Sequence, residues 1–186
     1  MFIQTETTPN PATLKFLPGQ DVLGARGTAF YTDAASAKQS PLASALFEIN
    51  DITAIFLGRD FITVTKKEEG DWDVLRPILL TAIMDHYTAG KPVMEEVAKQ
   101  APSADVGSAT DDPIISQIVE LIDTRVRPAV AMDGGDIVFH SFEEGVVKLE
   151  MHGACSGCPS STATLKQGIE NMLCHYIPEV KMVEAV

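Results

Sequence analysis

Residues 91–110, KPVMEEVAKQAPSADVGSAT, interrupt every apolar pattern in this chain of 186 residues. They bring Pro92, Pro102 and Gly107 among small polar side chains, with little periodicity to bury. No single core can run through such a stretch, so the sequence predicts two small α/β domains, at 1–90 and 111–186, joined by a flexible linker over 91–110. Part of that linker, from Val93 to Lys99, has the composition of a short helix. A coil of about 20 residues has an r.m.s. reach of roughly 25 Å, enough for independent movement of its two ends.

Before the linker, strands and helices mix. Short strands are expected at Phe2–Thr5, Thr13–Leu17 and Thr28–Tyr31, with a Pro-Asn-Pro turn (Pro9, Asn10, Pro11) between the first two. Ile52–Leu57 and Phe61–Thr65 read as a hairpin around Gly58-Arg59-Asp60. Pro41–Phe47 suits a short helix. A longer one follows Asp71 as cap, with Trp72, Leu75, Leu79, Ala82, Ile83 and Tyr87 near helical spacing and Gly90 at its end. Pro77, about a turn in, predicts a kink or a later start.

After the linker, Asp111-Asp112-Pro113 is a cap followed by proline at the first helical position. The stripe Ile114, Ile115, Ile118, Val119, Leu121, Ile122 and Val126 then defines a helix ending near Pro128. Gly134-Gly135 turns the chain into a hairpin, Ile137–Phe142 and Val146–Met151, around Glu143-Glu144-Gly145. On its second strand Val147, Leu149 and Met151 alternate with Lys148, Glu150 and His152. A loop, GACSGCPSS, leads to a helix from about Ser160 to Tyr176, and Glu179–Val186 closes the domain. The overall expectation is an α+β fold whose second domain runs helix, hairpin, helix, strand.

Composition narrows the function classes. The net charge of −12 comes without a basic patch, since Lys66-Lys67 is followed at once by Glu68-Glu69. Nucleic acid, whose phosphates reward a basic surface, is not the expected partner. No apolar run approaches the length of a spanning helix, so no membrane segment is expected. Three cysteines are too few and of the wrong parity for a disulfide framework. The start, MFIQTETTPNP, has no leader pattern and already begins a domain. The expected setting is therefore the cytoplasm of a bacterium, with a mitochondrial matrix protein after leader removal as the alternative.

Cys155 and Cys158, two residues apart, can turn both sulfurs toward one centre. Gly153 and Gly157 leave the loop room, and Pro159 suits the first position of the next helix. That helix start should favour thiolates and an anionic assembly. An iron–sulfur cluster takes four cysteine thiolates in its common sites. One such loop supplies two, and a two-fold dimer would supply the other half. The spacing leaves a thioredoxin-like redox pair and a structural zinc site open as alternatives. Among other residues, Cys174 reads as a semi-exposed or subunit-packing thiol, and His152, His140 and His86 as structural or solvated. Asp133 and Asp136 read as parts of a tight turn, with tuning or shielding of the cysteine loop as the alternative, and Ser160 and Ser161 read as helix caps. Met172, Leu173 and Tyr176 read as core or dimer contacts.

GACSGCPSSTATLKQGIENML closely resembles the loop and helix of the NifU C-terminal-like (Nfu) family of iron–sulfur scaffold and carrier proteins, and RPAVAMDGGDI resembles its helix end and DGGD turn. This resemblance spans 113–186. Independently, MFIQTETTPNPATLKFLPG resembles the start of the N-terminal domain in members with this two-domain order. The resemblance implies a 4Fe-4S cluster bridging a homodimer through Cys155 and Cys158, with 2Fe-2S possible, and a non-enzymatic role. It also implies receipt from an upstream assembly scaffold and transfer to apo iron–sulfur client proteins, lipoyl-synthesis and aconitase-type enzymes being the usual kinds. A dithiol–disulfide oxidoreductase and a zinc-stabilised adaptor remain the competing classes.

Overall fold

In the computed structural model the described residues are 2–95, 112–156 and 159–186, with side chains from 163 onward in the last span. Two compact units divide the chain between residues 101 and 102. Each has its own sheet and its own buried cluster, so the protein is α+β with two cores. No helix among the described residues is long and apolar enough to cross a membrane.

The first unit is a five-stranded sheet. Strands β1 (Gln4–Thr7), β2 (Thr13–Leu17), β3 (Ala29–Tyr31), β4 (Ile52–Leu57) and β5 (Ile62–Lys66) line up as β1-β2-β5-β4-β3, antiparallel throughout. Helices α1 (Pro41–Phe47) and α2 (Trp72–Thr88) supply Leu42, Ala43, Leu46, Leu75, Leu79 and Ile83 to the core. These meet Leu14, Phe16, Ile55, Leu57, Ile62 and Val64, which share one sheet face by alternation. Fully burying one such side chain contributes about 1.5–3 kcal/mol. Pro77 does not delay the start of α2. The helix starts at Trp72, capped by Asp71, whose Oδ1 accepts from the Asp73 amide at 2.9 Å. Pro77 lies on the exposed face, where the carbonyl it leaves without a donor can be met by water.

The beginning of the expected linker is bonded to this unit. Ser40 caps α1 by accepting from the Ala43 amide at 3.1 Å and donates to the Val93 carbonyl at 2.6 Å. The Glu95 amide donates to the Gln39 carbonyl at 2.9 Å, and Val93 and Met94 pack on the core. Residues 93–95 are not helical, and the rest of the short helix expected to Lys99 lies outside the described residues.

The second unit is a three-stranded sheet. A helix α3 (Pro113–Leu121) is capped by Asp112, and a hairpin joins β6 (Gly135–Glu143) to β7 (Val146–Gly153). Then α5 (Pro159–Tyr176) crosses over to β8 (Met182–Ala185), parallel to β7. Glu144 and Gly145 turn the hairpin with φ of 51° and 90°, the signs of a type I′ turn. Val147, Leu149 and Met151 point into the core with Ile137, Val183, Ile169 and Leu173. Lys148, Glu150 and His152 take the other face, as their alternation requires.

The first helix does not end near Pro128. It passes through a π-helical turn, Ile122–Val126, and continues as α4 (Arg127–Met132). Within that turn the Arg127 amide donates to the Ile122 carbonyl, five residues back. Pro128 then occupies the second position of α4, where a missing N–H costs little.

Ser40 ties a helix start to the chain that follows α2, so Ser40→Ala should cost about 1 kcal/mol of stability in urea unfolding. An unchanged midpoint would mean that neither its cap nor its bond to Val93 contributes.

Candidate metal centre

The Cys155 loop is built from the ends of β6 and β7. Gly135, the first residue of β6, is paired with Gly153, the last of β7, and Asp136 with His152. The Ala154 amide donates to the Gly134 carbonyl at 3.2 Å, and the Ser156 amide to the Gly153 carbonyl at 3.1 Å. Cys155 is thereby folded back over the start of β6. A Cβ placed on Gly135 would lie 2.6 Å from Cys155 Sγ and 2.8 Å from the His152 carbonyl oxygen. Any side chain at Gly135 would evict the sulfur from its seat. Gly134 beside it has φ +81°, a conformation in which a Cβ is strained.

Cys155 is buried and 7% exposed. Burial, then the charges of Asp133 and Asp136, push its thiol up from the ordinary 9.0 to about 11. This departs from the expectation that the start of α5 would favour the thiolate. The causes are loss of solvent first, then the charges of Asp133, at the end of α4, and of Asp136. At neutral pH the metal-free side chain is a thiol, and a metal taking that sulfur must displace its proton.

Asp136 is buried and holds a fork from Arg127, Nε to Oδ1 at 2.8 Å and Nη2 to Oδ2 at 2.7 Å. Nothing local in the sequence signals that pair; Arg127 and Asp136 are nine residues apart, and only the π-helical turn and the Asp-Gly-Gly-Asp turn bring them together. Asp133 and Gly134 form the expected turn, whereas Asp136, expected in it too, already stands in β6 opposite His152. Cys158 and Gly157 lie outside the described residues, as do the side chains of Ser160 and Ser161, which fall inside α5.

The other candidates fall away from the loop's chemistry. His152 faces outward and pairs with Glu150, Nε2 to Oε1 at 3.0 Å. His140 is exposed at an irregularity of β6 between Phe139 and Ser141. His86 is buried against the first unit, where burial and then Lys91 lower its pKa. Cys174 is a free thiol, partly buried against the second core. Leu173 is fully buried and Met172 packs on that core, but Tyr176 is not core. It is half exposed, with the Arg125 guanidinium 5.2 Å from its ring centre. Among the described residues no group of three His, Cys, Asp or Glu side chains is placed to hold a metal ion.

Two outcomes follow from the seat of Cys155. In metal-free protein carrying Cys158→Ser and Cys174→Ser, alkylation of Cys155 should keep accelerating from pH 9 toward about 11. The ionised fraction is still rising there; a plateau by pH 9 would contradict the buried, carboxylate-flanked thiol. Gly135→Ala should destabilise the second unit by about 1–3 kcal/mol in denaturant unfolding, the usual cost of overfilling a packed site.

Two protein-family profiles match the chain, one described as "Scaffold protein Nfu/NifU N terminal" over residues 3–90, the other as "NifU-like domain" over 118–184. A human protein named "NFU1 iron-sulfur cluster scaffold homolog, mitochondrial" is 51% identical over all of this chain and 72% of its own length. The protein of the same name from Drosophila virilis is also 51% identical, over all of this chain and 62% of its own. The chain thus spans less than two thirds of the Drosophila virilis relative. A solution NMR structure of a NifU-like protein from Saccharomyces cerevisiae aligns with a TM-score of 0.46 at 26% identity, over 52% of this chain and 86% of that one. With both halves matched in order and half of all residues shared with the human relative, the chain belongs to the Nfu family of iron–sulfur cluster scaffold proteins.

Proposed function

We propose that this chain is a non-enzymatic iron–sulfur cluster carrier. Two copies hold one 4Fe-4S cluster between them through Cys155 and Cys158 of each, and pass it to apo-proteins by thiolate exchange. A 2Fe-2S cargo would use the same four thiolates. In this reading residues 111–186 carry the cluster, residues 91–110 tether, and residues 1–90 recognise clients or an upstream scaffold. All three cysteines lie outside that first segment, so its part is recognition rather than thiolate ligation.

The observation that carries the reading is the seat of Cys155 in a chain of this family. Its sulfur is held on glycine at the end of a hairpin, and the described residues around it offer no further ligand group. Soft thiolates suit iron–sulfur chemistry, and a donor set completed from a second loop supplies the missing half. A dithiol–disulfide oxidoreductase wants a depressed thiol pKa, whereas that of Cys155 is pushed up. The reducing compartment that free thiols require is met in the bacterial cytoplasm and in the mitochondrial matrix alike. The relatives' names place those proteins in mitochondria, which favours the matrix.

Anaerobic reconstitution with iron and sulfide tests this. The loaded protein should carry about four irons per two chains and run as a dimer. Cys155→Ser and Cys158→Ser should each abolish binding, and Cys174→Ser should not. A loaded monomer, tight zinc in the purified protein, or equal loss from all three substitutions would refute the assignment.

A further inference from the structure

The Arg127–Asp136 pair stands one residue from the wall that holds the sulfur. Asp136 takes both prongs of the Arg127 fork, and its Oδ1 also accepts from the Ile137 amide at 2.8 Å. Its side chain is 5% exposed, that of Arg127 38%, and Arg127 Nη1 donates in addition to Asp123 at 3.1 Å. The residue before Asp136 is Gly135, on which Cys155 Sγ rests, and the one before that offers its carbonyl to the Ala154 amide. The backbone bearing the carboxylate is thus the backbone bearing the sulfur's seat.

Arg127 reaches Asp136 because of the π-helical turn at Ile122–Val126. One extra residue in a turn rotates all that follows by about 100° relative to an unbroken α-helix. Without it Arg127 would leave this face. A partly buried ion pair is a poor way to stabilise a fold, because desolvation offsets most of its attraction. It is a good way to fix an orientation, since a planar guanidinium on a carboxylate permits one geometry.

We propose that Arg127 is a positioning residue for the cluster: through its fork on Asp136 it fixes Gly134–Gly135 and so sets where the Cys155 sulfur stands. This rests on the carrier reading above and deepens it, assigning the alignment of one ligand to a residue 28 positions upstream in the sequence.

The test compares full-length wild type with Arg127→Gln, Arg127→Lys, Asp136→Asn and a packing control, Val130→Ala. Val130 is 2% exposed, lies on the same short helix, and contributes only apolar atoms from its side chain. Each protein is reconstituted anaerobically with iron and sulfide. Three quantities are read: the visible circular dichroism of the sulfur-to-iron bands, the half-time of cluster loss to a ferrous chelator, and Tm. Arg127→Gln should alter the visible bands and shorten the half-time by about 10- to 100-fold, the range usual for residues that orient metal ligands. Arg127→Lys should recover part of the loss, and Asp136→Asn should shift the bands in the same direction as Arg127→Gln. Val130→Ala should lower Tm and leave the bands as in wild type. Wild-type bands and half-time in Arg127→Gln would overturn the proposal, as would the same losses in Val130→Ala. Should Arg127→Gln fail to fold, wild-type bands in Asp136→Asn overturn it equally. Failure of the wild type to take up any cluster would instead bring down the carrier reading, which makes the two failures distinguishable.

Discussion

The sulfur of Cys155 occupies space that a side chain on Gly135 would need, and much of the second unit is arranged around that contact. Gly135 must open β6 while Gly153 closes β7, because only that register brings the two strand ends together under the loop. Toward the turn at Glu144–Gly145 the pairing is offset by one residue, taken up on β6 between Phe139 and Ser141, so that Val147, Leu149 and Met151 stay in the core. The helices behind this sheet have a matching task. They bury the apolar face, and at Arg127 one of them reaches back to hold the turn from which β6 begins. Packing and the placement of the Cys155 sulfur are therefore coupled at one glycine.

That seat shapes the chemistry as much as the geometry. A thiol raised to about 11 by burial and then by two carboxylates is quiet toward disulfides at neutral pH, and a metal that takes the sulfur displaces its proton to solvent. An enzyme that cycles a cysteine pair would be poorly served by it. In the carrier reading the sulfur gives up a proton to solvent when it binds iron and takes one back when it is released. The same burial keeps the empty ligand from the oxidants that attack exposed thiolates.

The parts of this fold that depend on neighbours in sequence are legible from the residues alone. The alternation Val147–His152, the helix starts at Pro41 and at Asp112-Pro113 and the Asp71 cap are local, and each stands where residue chemistry puts it. Of the cysteine loop, Gly153 is a local signal that the backbone meets, at φ +67°, while Gly157 and Cys158 lie outside the described residues. What the residues alone conceal is non-local. Pro128 has the marks of a helix end, yet a π-helical turn carries the chain past it. The partnership of Arg127 with Asp136 needs that turn and the glycine turn at once. Lys15 has the character of a surface residue in strand β2, yet it is 7% exposed, with Glu6 at 3.4 Å and the ring of Phe61 at 4.8 Å. Only pairing of β1 with β2, which sets Glu6 opposite Lys15, makes that burial tolerable.

On the carrier reading, sharing one cluster between two copies constrains how they can meet. The second sheet runs β6-β7-β8, so among the described residues β6 is a free edge and an obvious place for like strands to pair. A two-fold pairing of β6 with itself would be antiparallel. In full register it would set Gly135 of one copy opposite Glu143 of the other, at the far end of a nine-residue strand. At about 3.3 Å per residue the two Cys155 seats would stand roughly 27 Å apart, far beyond what one cluster spans. The axis of a cluster-bearing dimer must therefore pass beside the loops and not along the middle of β6.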